Sequence, residues 1–207
     1  MKNRRCVIVG GAEINDAERI KRLFREDDSF IYCDGGLYSE QKLGRSPDLI
    51  VGDFDSHDRP DTGTETIVLP HEKDDTDTVY AVKEAISRGF TEFLLVGVIG
   101  GRLDHTLGNI SILLYLDSLG MKAEAADDFS VISVVSDKPG YAENVFSYFS
   151  LLNVSGKAAG ITVKGAKYEL DNAEITCEYP YGVSNEVSGE KAEITVSEGR
   201  VLLVKVY

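Results

Sequence analysis

The chain has 207 residues, 43% of them hydrophobic and 28% charged, a balance that buries a sizeable core without disulfides or a structural metal. Thirty-five acidic residues against 22 basic ones leave a formal charge of −13. That charge argues against an extended nucleic-acid surface, which needs a basic stripe to displace phosphate counterions. No apolar run approaches a membrane span, and the run after the basic start, Cys6 to Val9, is too short for a signal peptide. Cys6, Cys33 and Cys177 are an odd, scattered set without C-x-x-C spacing, so the sequence points to a reducing, cytoplasmic setting.

In chain order, Cys6-Val7-Ile8-Val9 has the pattern of a buried strand, closed by Gly10-Gly11. Asn15 and Glu18 have capping-box spacing, and Ile20, Leu23 and Phe24 would form the apolar face of the helix that follows. Phe30 to Cys33 is a second strand ending at Asp34-Gly35-Gly36, with a short helix after it. Leu49-Ile50-Val51 is a third, ending at Gly52-Asp53-Phe54-Asp55-Ser56, and Thr66 to Leu69 is a fourth. A helix over 77–88 puts Val79, Val82 and Ile86 on one face and stops at Gly89. Phe93 to Val98 is a fifth strand ending at Gly100-Gly101. A long helix then starts near Asp104, carries Leu107, Ile110 and Leu114 in register, and stops at Gly120. This alternation predicts an α/β domain over residues 1–125 with a doubly wound, mostly parallel sheet.

Beyond residue 125 the texture changes. Val131–Val135, Val145–Val154, Ile161–Val163, Ala173–Cys177, Ala192–Val196 and Arg200–Val206 are strand-like, separated by turn residues and without helical period. Residues 126–207 therefore read as an antiparallel β domain, with Gly182 to Glu186 as a polar loop between strands.

In an open parallel sheet, ligands bind outside the carboxyl ends of the strands, and the polar motifs of the first domain fall there. Asp53 and Asp55 are two apart, so in extended backbone both carboxylates point to one side, where a cation such as Mg²⁺ would relieve their repulsion. Asp75 and Asp77 repeat that spacing, and Asp74 and Asp77 would share a helix face; Asp or Thr at a helix start can also be a simple cap. Gly35-Gly36 and Gly100-Gly101 would let backbone N–H groups approach phosphate. Arg102 has the fork that clamps phosphate oxygens, and Lys73 would act as a point charge. His105 and Asn109 are four apart on a helix face and receive no catalytic role.

Together these segments resemble the thiamine pyrophosphokinase (thiamine diphosphokinase) family. The likeness runs in the family's order through Asp34-Gly35-Gly36, Gly52-Asp53-Phe54-Asp55-Ser56, Lys73-Asp74-Asp75-Thr76-Asp77, Gly100-Gly101-Arg102-Leu103-Asp104-His105, Gly165-Ala166-Lys167-Tyr168 and Ser184-Asn185. The resemblance implies an α/β catalytic domain, a C-terminal β-sandwich that binds thiamine, and a homodimer with active sites at the subunit interface. It implies transfer of pyrophosphate from ATP to thiamine. By position, Asp53, Asp55 and Asp77 match the family's Mg²⁺ ligands, and Asp55, Asp77, Arg102 and Asp104 its catalytic set. Asp34, Gly35, Gly36, Lys73, Asp74, Thr76, Gly101 and Arg102 match its ATP and phosphate site, and Ser184 and Asn185 its thiamine site. Three departures touch substrate contacts, not the reaction class: Leu37-Tyr38 stand where Asn is common, Val79 where Glu is common, and Tyr168 where Trp is common.

Two other readings fit parts of the pattern. A phosphatase could use Asp53 as nucleophile and Asp55 as acid, although that chemistry places its D-x-D after the first strand rather than the third. A non-catalytic nucleotide sensor would bind ATP without turnover.

Overall fold

A computed structural model describes residues 5–54, 63–72 and 74–207, so Asp55 and Lys73 lie outside the described residues. The chain divides into two compact units, residues 1–128 and 129–207.

The first unit is built on six parallel strands: β1 (Arg5–Val9), β2 (Ser29–Cys33), β3 (Leu49–Gly52), β4 (Thr66–Val68), β5 (Glu92–Val96) and β6 (Lys122–Ala126). They lie in the order β6-β5-β1-β2-β3-β4. Every residue of β1 and β5 is buried, so both faces of these central strands are covered, as parallel strands require. The chain moves outward from β1 through β2, β3 and β4, then returns to place β5 on the other side of β1. The order thus reverses at β1, which makes the carboxyl ends of β1 and its neighbours the natural place for a ligand.

The helices are α1 (Ala17–Lys21), a 3₁₀ turn at Asp34–Ser39 running into α2 (Glu40–Leu43), α3 (Asp77–Ser87) and α4 (Leu103–Ser118). The capping-box expectation is corrected at α1. Asp16, not Asn15, caps it, accepting the Arg19 N–H at 3.0 Å, while the Asn15 N–H donates to Asp128. The helix ends at Lys21, so Leu23 and Phe24 lie beyond it, and Phe24 instead packs edge-on against Phe30 with ring centres 5.0 Å apart. Strand β6 escaped the sequence pattern because Lys-Ala-Glu-Ala-Ala has weak strand propensity; pairing with β5, from Glu92↔Lys122 to Val96↔Ala126, holds it extended.

The second unit contains β7 (Ser130–Val135), β8 (Gly140–Glu143), β9 (Tyr148–Asn153), β10 (Lys157–Lys164), β11 (Leu170–Thr176), β12 (Gly182–Asn185), β13 (Lys191–Thr195) and β14 (Val201–Val206). Its antiparallel pairings run β12-β9-β14-β7 and β11-β10-β13-β8. Phe149, Leu151 and Leu203 from the first set and Ile161, Val163 and Ile194 from the second belong to one buried cluster, so each set turns a face to a shared core. Gly182 to Asn185, expected as a loop, is a strand paired with β9. Its polar composition hid it. Gly182 lies so close to β9 that a Cβ there would meet the Leu151 carbonyl oxygen at 2.7 Å.

Candidate active site

Three adjacent parallel strands, β1, β2 and β3, end in Gly10-Gly11, Asp34-Gly35-Gly36 and Gly52-Asp53. The fold itself uses these glycines. A Cβ on Gly36 would stand 2.2 Å from the Val9 carbonyl oxygen, and one on Gly52 would stand 2.7 Å from the Asp34 Cβ. The strand ends therefore pack backbone to backbone, which draws their polar residues together.

Asp34, Asp53 and Asp77 each place a carboxylate oxygen within 4.8 Å of the other two. Asp34 is buried and the other two are half-buried, and one oxygen each of Asp34 and Asp77 is shielded from solvent. Three carboxylates this close repel one another in a partly dry setting unless a cation is shared. An all-oxygen donor set of this kind suits a hard divalent ion.

Asp34, assigned from the resemblance to the phosphate site, thus stands with Asp53 and Asp77, whereas Asp55 lies outside the described residues. The backbone between Asp53 and Asp55 is not extended as the spacing predicts. Phe54, between them, has a φ of 52°, in the left-handed region, so simple alternation of side chains does not apply. The neighbouring Cys33 is buried, and its thiol is pushed up to about 12 by burial first and then by the Asp77 charge. It is an inert core thiol.

Asp77 opens α3, an 11-residue helix whose N-terminus favours nearby negative charge. Thr76 is its cap, with Oγ1 accepting the Val79 N–H at 3.3 Å. Asp74 precedes the helix, so it does not share a helix face with Asp77, and Asp75 pairs with Lys83 at 2.6 Å.

After β5 the chain turns through Gly100 and Gly101, with φ of 104° and 67°, conformations glycine adopts readily. Arg102 then donates from Nε and Nη2 to the two carboxylate oxygens of Asp104, at 3.1 and 2.5 Å, and both side chains are exposed, 70% and 65%. The Arg102 hydrogen bonds hold the Asp104 carboxyl down at about 2. Two braces that the sequence did not reveal shape this loop. Thr106 Oγ1 accepts the Gly100 N–H at 3.1 Å, and buried Asn109 donates to the Val98 carbonyl at 2.7 Å. Asn109 is therefore a structural group, and His105 is exposed at the helix start.

In the second unit, Gly165 to Tyr168 and Ser184 to Ser188 are drawn together by an Ala166↔Val187 bridge and a Lys167–Glu186 ion pair at 2.7 Å. Ser184 has a φ of 60°, and its N–H donates to Ser150 Oγ at 3.0 Å.

A family model described as "Thiamin pyrophosphokinase, catalytic domain" matches residues 20–124, and one described as "Thiamin pyrophosphokinase, vitamin B1 binding domain" matches 138–201. The chain belongs to the thiamin pyrophosphokinase family. Among curated relatives, a thiamine pyrophosphokinase of Bacillus subtilis is 26% identical over 96% of this chain and 96% of its own. A thiamin pyrophosphokinase 1 of Caenorhabditis elegans is 22% identical over 97% of this chain and 88% of its own. Among solved structures, the thiamin pyrophosphokinase of Geobacillus thermodenitrificans superposes with a TM-score of 0.84 at 27% identity, covering 98% of this chain and 97% of that one. The Bacillus subtilis thiamine pyrophosphokinase structure gives a TM-score of 0.87 at 24% identity, covering 98% and 99%. Within this thiamin pyrophosphokinase family chain, the catalytic-domain match spans Asp34, Asp53, Asp77, Arg102 and Asp104, and the vitamin B1 binding match spans Tyr168, Ser184 and Asn185.

Proposed function

We propose that the chain is a thiamine diphosphokinase, transferring pyrophosphate from ATP to the hydroxyl of thiamine to give thiamine diphosphate and AMP. The observation that carries this reading is the Asp34-Asp53-Asp77 cluster, placed at the ends of β2 and β3 and the start of α3. Family membership says which reaction such a site serves. The first unit, residues 1–128, then acts as the ATP-binding catalytic domain and the second, 129–207, as a β-sandwich that binds thiamine.

A divalent metal, read here as Mg²⁺, would be held by Asp34, Asp53 and Asp77, with Asp55 as a further ligand implied by position; when bound it aligns the phosphates and offsets their charge. The residues supply the rest. Phosphoryl-type transfer depends on alignment and charge neutralisation more than on covalent help from the protein. Arg102 lies on an exposed pair with Asp104, and exposed pairs contribute little, so its fork can exchange that carboxylate for phosphate oxygens at small cost. Lys73, together with the Gly35-Gly36 and Gly101 backbone, is proposed to meet the same phosphates.

Arg102 hydrogen bonds hold the Asp104 carboxyl low in the resting pair. Once that fork turns to phosphate, Asp104 is released and is one candidate base for the thiamine hydroxyl proton. Asp74, exposed and just ahead of the Thr76 cap, is the other candidate. On the thiamine side we assign Ser184, Asn185 and the exposed Tyr168. We also read the protein as a cytoplasmic homodimer. The dimer reading is supported by α4, where Leu103 is 71% and Leu107 59% exposed beside half-buried Ile110 and Leu114. Among the described residues, no helix is long and apolar enough to cross a membrane.

The test is incubation with ATP, Mg²⁺ and thiamine, with nucleotides resolved by ion-exchange chromatography and a thiamine-free control. Thiamine-dependent AMP matched by thiamine diphosphate is the expected result. Phosphate released without thiamine would favour the phosphatase, and ATP binding without turnover would favour the sensor.

A further inference from the structure

Asn185 shows an unusual use of its side chain. Its Nδ2 donates to the Tyr168 carbonyl at 2.7 Å, and its Oδ1 accepts the Tyr168 N–H at 3.0 Å and the Glu186 N–H at 2.9 Å. Because both Tyr168 partners are main-chain groups of fixed polarity, they determine which end of the amide is oxygen. Both acceptor sites and one of two donors are thereby committed to backbone, leaving a single N–H for anything else. The carboxamide takes the place of a β-ladder partner for Tyr168, across 17 residues of sequence.

The surroundings reinforce that anchor. The Lys167 N–H donates to the Glu186 carbonyl at 2.9 Å, and the Ser188 N–H to that of Gly165 at 2.8 Å. The Lys167 ammonium lies 5.6 Å from the Tyr168 ring centre and is ion-paired with Glu186 at 2.7 Å. Tyr168, 61% exposed, thus carries an aromatic ring on a main chain whose N–H and carbonyl are both held. The cation beside it already has a carboxylate partner, so its repulsion of a positively charged ligand is reduced.

We propose that Asn185 is a positioning residue: it fixes the main chain at Tyr168 so that the exposed ring meets the flat, cationic acceptor, and it does not contact the acceptor itself. This rests on the thiamine diphosphokinase reading and changes the role of Asn185 within it. An aromatic face attracts both a stacked heteroaromatic ring and a positive charge, which matches the acceptor's chemistry.

The experiment is a double-mutant cycle on the full chain with Asn185→Ala, Tyr168→Ala and the pair. Thiamine affinity is measured by calorimetry, and KM for thiamine, KM for ATP and kcat by AMP release. Asn185→Ala should weaken thiamine binding and raise its KM about tenfold, comparable to loss of one or two hydrogen bonds, with KM for ATP and kcat within about twofold. The double variant should bind no more weakly than Tyr168→Ala alone. Asn185→Gln keeps the amide but lengthens the reach, and should reproduce the loss if the alanine variant folds poorly. Additive losses in the cycle, or unchanged thiamine KM in Asn185→Ala, would overturn the positioning role. A wild-type protein that binds no thiamine would instead overturn the reading beneath it.

Discussion

Replacing Gly52 with alanine tests whether packing at the strand ends sets the carboxylate geometry. Gly52 does not have a positive φ, so alanine suits its backbone and the effect comes from the added methyl. That Cβ would stand 2.7 Å from the Asp34 Cβ and 3.2 Å from its Cα and Cγ. Carbon atoms rest at roughly 3.5–4.0 Å, so Asp34 must retreat by about 1 Å. It has little room, because Gly36, two residues on, already sits against the Val9 carbonyl. Overpacking of this kind costs about 1–3 kcal/mol of stability. The larger consequence is at the Asp34-Asp53-Asp77 cluster, since a misplacement of about 1 Å costs on the order of 100-fold in rate. The assay is initial AMP formation against Mg²⁺ concentration at saturating ATP and thiamine, with thermal unfolding as the fold control. A folded variant with a raised Mg²⁺ requirement and a rate down about 100-fold is expected. A rate and metal dependence within about twofold of wild type would refute the reasoning.

Glu92 accepts hydrogen bonds from Arg25 at 2.7 and 2.8 Å and from Lys122 at 3.0 Å, and these, Arg25 first, hold its carboxyl at about 2 against an ordinary 4.5. A depressed carboxyl stabilises the fold above its unfolded value and loses that contribution as pH falls through its folded value. Glu92→Gln should therefore cost about 2 kcal/mol near neutral pH, with the difference from wild type vanishing between about pH 4.5 and 2 in urea unfolding. Asn109→Ala leaves the buried Val98 carbonyl without its donor and should cost about 1–3 kcal/mol by the same method. Leu107→Glu puts a charge into the exposed stripe of α4 and should halve the mass seen by light scattering while leaving circular dichroism unchanged; an unchanged mass would place any dimer contact elsewhere.

Strands with both faces buried were legible because burial writes continuous apolar runs, as in Cys6-Val7-Ile8-Val9 and Phe93-Leu94-Leu95-Val96. β6 and β12 were not, because Lys-Ala-Glu-Ala-Ala and Gly-Val-Ser-Asn become strands through their partners rather than their own propensity. The carboxylates stood out as motifs, yet their grouping did not. Asp34 reaches Asp53 because β2 and β3 are neighbours and Gly52 leaves space, a relation across strands that spacing along the chain does not encode. The Asn109 and Asn185 bonds were hidden for the same reason, since each joins segments distant in sequence.

The most direct measurement follows the β-phosphorus of ATP. With ATP radiolabelled at that position, Mg²⁺ and thiamine, a thiamine diphosphokinase carries the label into thiamine diphosphate and releases unlabelled AMP in equal amount. Label recovered in ADP, whether alongside thiamine monophosphate or alongside inorganic phosphate released without thiamine, would contradict pyrophosphoryl transfer.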